Sequence, residues 1–153
     1  MILIAHRGNT QGPNLDRENS PDYIIEAMDK GYSVEVDVWY RDKSFWLGHD
    51  SPLHKIQEDF LVDDRIWCHA KNLKALEKMI TNSKIHCFWH QDDDYTLTNN
   101  GYIWTYPGKH LSERSICVMP EISMSIHDIS NLKCFGICSD IVDELTFLIE
   151  KTK

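Results

Sequence analysis

A chain of 153 residues is long enough to bury a core of its own and predicts a single domain, 1–153. Hydrophobic residues at 42% and charged residues at 26% exclude the profile of a disordered chain. A net charge of -8 with no basic run argues against nucleic-acid and anionic-membrane partners.

Met1 leads directly into a strand-like run, Ile2 to His6, without a charged leader or a long apolar stretch, so no membrane insertion and a cytoplasmic location are expected. The first helix is well marked. Ser20 suits the N-cap, Pro21 the first helical position, Ile24, Ala27 and Met28 one apolar face, and Gly31 the stop. Short apolar runs then predict strands at Val34 to Trp39, Ile66 to Lys71, Ile85 to His90, Tyr102 to Thr105, Ile116 to Met119 and Cys134 to Cys138. A second helix starts at Asn72 with Leu73, Leu76, Met79 and Ile80 as its apolar stripe, and a third runs from about Asp140 to the C-terminus, burying Ile141, Leu145, Leu148 and Ile149. Between Gln91 and Ile129 polar turns dominate and no equally convincing helix is expected. Strands alternating with helices predict a parallel sheet buried on both faces.

The five cysteines form no Cys-x-x-Cys pair and read as small buried hydrophobes rather than a disulfide framework. The tryptophans read mainly as core or mouth packing, with Trp104, near Tyr106 and Lys109, the best candidate for touching a ligand.

Because strand side chains alternate faces, Glu35 and Asp37 project together, opposite Val34, Val36 and Val38. Alone, such a pair more often marks a solvated strand edge. If buried, two like charges need a cation, and hard oxygen ligands suit Mg²⁺ or Ca²⁺. The same repulsion predicts that neutralising either carboxylate relieves strain in the metal-free chain. His6 ends the first strand and His49 lies on a turn-flanked segment after Phe45 to Gly48; together they offer an acid and a base near neutral pH.

Ala5-His6-Arg7-Gly8, Glu18-Asn19, Glu35-Val36-Asp37 and Gly48-His49-Asp50 follow one another in the first fifty positions, and Gly136-Ile137-Cys138-Ser139-Asp140 closes the chain's last strand. This ordered set resembles the glycerophosphodiester phosphodiesterase family. The resemblance implies a compact (β/α)₈ TIM-type barrel with its site at the C-terminal strand ends. Such barrels run to roughly 200–250 residues, so one strand is hidden or missing and several helices are reduced.

The resemblance further implies hydrolysis of a glycerophosphodiester or related small phosphodiester to an alcohol and a phosphomonoester. It casts His6 and His49 as acid and base in an order left open, Arg7 and Lys71 as phosphate ligands, and Glu35, Asp37 and an auxiliary Glu18 around one divalent cation, Mg²⁺ or Ca²⁺ with Mn²⁺ as a third choice. Where that family has glutamate-x-lysine, this chain has His69-Ala70-Lys71. Either His69 is the third ligand, or Glu121 replaces it, or the site is impaired; His90 faces the same cavity or packs in the core. Only His54 to Arg65 separates the hairpin from the third strand, so the family's helical insertion is nearly absent. Two other readings stay open: a lyase of the sphingomyelinase D type that stops at a cyclic phosphate, and a catalytically weak barrel that binds a phosphate ligand.

Overall fold

The apolar runs fold where their patterns place them, but they pair into a different architecture. The computed structural model describes residues 1–151, with strands β1 (Ile2–His6), β2 (Ser33–Arg41), β3 (Ser44–Leu47), β4 (His54–Ile56), β5 (Ile66–Ala70), β6 (Cys87–Phe88), β7 (Tyr95–Leu97), β8 (Ile103–Thr105), β9 (Ser115–Val118) and β10 (Gly136–Ser139). Helices are α1 (Pro21–Asp29), α2 (Leu73–Met79), α3 (Ile126–Ser130) and α4 (Val142–Lys151). All seven expected strands are present and lie parallel in the order β6-β5-β2-β1-β10-β9-β8.

The expected (β/α)₈ barrel is not what forms. The sheet is mixed, ten-stranded and shaped as a half-barrel, with only four α-helices among the described residues. The β3–β4 hairpin adds antiparallel strands beside β2, and β7 adds one beside β8. Among the described residues no eighth parallel strand covers β6. Its edge is instead occupied by Asn99, whose backbone N–H donates to the Cys87 carbonyl (3.0 Å), whose Oδ1 accepts from the Cys87 N–H (2.9 Å) and whose Nδ2 donates to the Ile85 carbonyl (2.8 Å). One residue thereby satisfies backbone groups that a neighbouring strand would otherwise serve.

Two apolar layers hold the sheet. One face, bearing Val34, Val36 and Val38, packs under α1 and α2 with Ile24, Ala27, Ala75 and Met79, while Cys117, Ile129, Ile137 and Leu145 pack under α3 and α4. The concave face is filled by Ile4, Trp67, Phe88, Trp104, Ile116 and Cys138. Ser20 caps α1 by position but makes no side-chain cap bond, whereas Asn72 caps α2 by accepting from the Ala75 N–H. The α2 stripe differs from its sequence reading. Leu73 and Ile80 are exposed, and Ala75 and Met79 are the buried pair, because a seven-residue helix has room for one contact line against β2. In α4, Val142 and Leu145 are the buried contacts, and Ile141, Leu148 and Ile149 are half-buried. Cys68, Cys87, Cys117 and Cys138 are buried free thiols, as their apolar surroundings suggested.

Candidate active site

Parallel pairing brings distant residues into one layer at the C-terminal ends of the central strands. His6 stands opposite Glu35 across β1 and β2, and Asp37 opposite His69 across β2 and β5. Side chains in register on neighbouring strands share a face, so these four point into the mouth above the Trp67–Phe88–Trp104 packing. Glu35 and Asp37 are almost wholly buried, opposite the three valines, as period two requires.

His69 Nδ1 lies 3.2 Å from Asp37 Oδ1 and 3.7 Å from Glu35 Oε1. Its other nitrogen, Nε2, donates to the His90 carbonyl at 2.9 Å, and the ring lies flat against Phe88 with centroids 5.2 Å apart. That bond assigns the Nε2 proton and aims the Nδ1 position at the two carboxylates, the arrangement by which an outer partner orients a metal-binding imidazole. One atom from each of Glu35, Asp37 and His69 falls within 4.8 Å of the others, a set that could hold a divalent ion. Two oxygens of these carboxylates, Glu35 Oε2 on the His6 side and Asp37 Oδ1, are buried without a hydrogen bond among the described residues, although Lys71 Nζ lies 3.5 Å from the latter. Unsatisfied buried oxygens beside an oriented imidazole fit a cation. Glu121 does not join them. It accepts from Ser139 Oγ (2.7 Å) and the Asp140 N–H (2.9 Å), which commits it to the end of β10.

Without metal, protons and side-chain cations neutralise the pair. Burial works against a charged His69, yet Asp37 and Glu35 outweigh it and lift the imidazole to about 9. Burial would raise Asp37, but His69, Arg7 Nε at 3.0 Å and Lys71 Nζ at 3.5 Å hold its carboxyl well below the usual carboxylate range. Metal binding must therefore displace the His69 proton.

His6 forms a second unit. Burial opposes its charged form, but its Nδ1–H donates to Asp140 Oδ1 at 2.8 Å and Glu35 adds to the attraction, so the imidazole is raised above its ordinary value. Its Nε2 then faces Glu35 Oε2 at 4.0 Å. Asp140 also accepts from Asn9 Nδ2 at 2.8 Å and rests on Glu121 through its backbone, so the carboxylate that orients His6 is itself fixed.

Arg7 connects the two units to the cleft. It ion-pairs with Asp37 and, through Nη1 at 3.1 Å, with Glu18. Glu18 also accepts from Asn9 Nδ2 at 2.9 Å, so it holds Arg7 and lies outside the three-ligand set. Asn19 Nδ2 donates to Asp37 Oδ2 (2.9 Å) while its Oδ1 accepts from the Asp37 N–H (2.8 Å). Arg7 (φ 54) and Asn19 (φ 62) both adopt the left-handed conformation, rare outside glycine for a residue like arginine and frequent at functional loops.

His49 reaches the same place from the hairpin. β3 takes up the β2 edge that β1 leaves, and the Gly48 N–H bonds the Asp37 carbonyl (3.1 Å). Gly48 has φ 147, and a Cβ there would run into the Ser51 carbonyl oxygen, so only glycine permits the turn. His49, whose Nδ1 lies 2.7 Å from Asp50 Oδ1 and which is 41% exposed, lines a cleft of about 280 Å³ together with Arg7, Glu18 and Asn19. A larger depression of about 350 Å³ beside Gln11, Arg17 and Lys30 holds two cations that are already paired, with Glu26 and Asp143.

Trp104 does not line the site. It is 3% exposed and packs tilted against Phe88 with ring centroids 4.4 Å apart, because β8 turns it into the concave core rather than toward the mouth. His90 contributes its carbonyl to His69, and its ring is half-buried near Thr96 and Tyr106. Asp140 and Asn9 are the site residues that the sequence reading gave no role, and Asn19, quoted there with Glu18, proves to hold Asp37. For Asp140 a signal existed, since a carboxylate at the end of the last parallel strand falls beside the first. Comparison with protein-family models, curated proteins and solved structures gives no match to this chain.

Proposed function

We propose that the chain is a divalent-metal-dependent phosphodiesterase acting on a glycerophosphodiester or a related small phosphodiester, of the glycerophosphodiester phosphodiesterase type. The observation that carries this reading is the gathering, at one sheet end, of a carboxylate-fixed histidine, a buried Glu35–Asp37–His69 set and two cations, Arg7 and Lys71. Phosphoryl chemistry asks for these parts: cations for the phosphate oxygens, and a group to move a proton at each side of phosphorus.

Glu35, Asp37 and His69 would hold the metal, which when bound supplies positive charge to the phosphate and lowers the pKa of an attacking or leaving oxygen. Arg7 presents a planar fork, and Lys71 a point charge, for the non-bridging oxygens. Asp140 accepts a hydrogen bond from His6 Nδ1–H and keeps Nε2 turned inward, where it can take or give a proton. His49, which lines the same cleft as Arg7, would make the complementary transfer. Among the described residues no helix is long and apolar enough to cross a membrane.

The test is turnover of glycerophosphocholine with Mg²⁺, Ca²⁺ or Mn²⁺ and with EDTA, read as glycerol 3-phosphate and choline by ³¹P NMR and coupled assay. Metal-dependent release supports the reading. Accumulation of a cyclic phosphate would move it to a lyase, and absence of turnover with every metal would refute it. A phosphate-binding half-barrel without turnover is favoured by one fact: Asp37 is already ringed by Arg7, Lys71 and His69. Binding of glycerol 3-phosphate by a chain that never turns over the diester would select it.

A further inference from the structure

We infer that the diester carries an apolar arm, and that Leu15 and Leu53 select it; this rests on the phosphodiesterase reading. The cleft that holds Arg7 and His49 is bordered by two leucines from separate loops. Leu15 is 82% exposed and Leu53 62%, the first on the β1–α1 loop and the second between β3 and β4. Neither is exposed through a loose backbone. The Asn14 carbonyl accepts the Arg17 and Glu18 N–H groups, both at 2.9 Å, and the Asn14 N–H bonds Asn9 Oδ1 at 3.0 Å, which fixes the turn bearing Leu15. The Leu53 N–H bonds the Leu47 carbonyl at 2.9 Å across the turn that Gly48 makes possible.

Two leucines are thus held in water on built turns, at the rim of the cleft whose floor carries the phosphate-binding fork. A diester whose phosphorus meets Arg7 sends one of its ester arms out along that cleft, between the leucines. Polar arms such as choline or ethanolamine leave them wet, whereas an aliphatic arm covers them and gains by burial of apolar surface. The ligand class is therefore a glycerophosphodiester of an aliphatic alcohol. With complete burial each methylene is worth roughly fourfold, and on an open cleft roughly twofold.

The experiment uses the full chain with Mn²⁺ and a series of sn-glycero-3-phospho-n-alkanols from methyl to hexyl. The expected result is a rise in kcat/KM of about 30-fold across the series, flattened to within about twofold in Leu15→Ser/Leu53→Ser. A flat series in the wild type, with every ester turned over, overturns the inference and leaves the phosphodiesterase reading standing; failure to turn over any ester overturns both. A rise that persists undiminished in a folded double variant also overturns it, and the wild-type series decides alone if that variant does not fold. Comparing the free hexyl ester with a dodecyl ester presented in phosphatidylcholine vesicles separates the two sources of such an arm. Faster turnover on vesicles assigns it to a membrane lipid, and faster turnover in solution to a soluble diester; either keeps the inference.

Discussion

Asp37→Asn should destabilise the metal-free protein by about 3–5 kcal/mol, the usual consequence of leaving buried partners of opposite charge uncompensated. Asp37 is fully buried, with Arg7 at 3.0 Å, His69 at 3.2 Å and Lys71 at 3.5 Å. At an effective dielectric constant near 20 each contact is a gross attraction of about 5 kcal/mol, most of it cancelled by desolvation. On loss of the charge His69 can shed its proton, but Arg7 and Lys71 cannot easily do so. The amide adds a second fault. Its NH₂ must replace Oδ2, which accepts from Asn19, or Oδ1, which faces His69 and Lys71, and so meets donors either way. Glu35→Gln is different, because the ion-pair partners of Glu35 are more distant, His69 at 3.7 Å and His6 at 4.0 Å, and among the described residues its Oε2 accepts no hydrogen bond. It should fall within about 1 kcal/mol of wild type. The expectation that neutralising either carboxylate relieves repulsion therefore fails for Asp37, whose surroundings are net cationic. Urea unfolding at pH 7 in EDTA measures both variants, and at this size the Asp37→Asn loss corresponds to a fall in Tm of about 10 °C. Asp37→Asn as stable as wild type, or Glu35→Gln the worse of the two, would refute the reasoning.

His69→Glu should shift metal preference from Mn²⁺, Co²⁺ and Zn²⁺ toward Mg²⁺ and Ca²⁺, as a nitrogen ligand gives way to oxygen; calorimetric titrations showing an unchanged ranking would remove His69 from the ligand set. His6→Ala should abolish turnover of the diester while leaving the fold and metal binding intact. Asp140→Asn should lower kcat by about 10²- to 10⁴-fold. Because Asp140 raises the His6 pKa, its loss should also move whichever limb of the pH profile His6 governs to lower pH, an effect that mere loss of packing would not produce. His86, buried against Trp67 and bonded to Thr98 at 2.9 Å, is pushed down to about 4 by desolvation. A depressed histidine stabilises the neutral fold above the unfolded value of 6.5 and loses that contribution as pH falls toward 4, at most about 3 kcal/mol. Urea midpoints of His86→Gln should accordingly fall less steeply with acid than those of wild type, and parallel curves would show that His86 does not titrate on unfolding.

Local patterns determined the pieces. Apolar runs bounded by turn residues marked all seven parallel strands, and period two alone set Glu35 and Asp37 opposite Val34, Val36 and Val38, because alternation is a property of the extended chain itself. Ser20-Pro21 and Asn72 marked two helix starts for similarly local reasons. Tertiary structure decided how the pieces meet. Asn99 ends the sheet at β6, β3 follows β1 along the same edge of β2 and delivers His49 beside Arg7, and β8 turns Trp104 inward. The pairing of His6 with Asp140 spans nearly the whole chain, and His69 receives its orientation from a carbonyl on another strand's end. Such contacts depend on which strands become neighbours, and that is settled by the summed burial of many side chains, a quantity no short stretch of sequence contains.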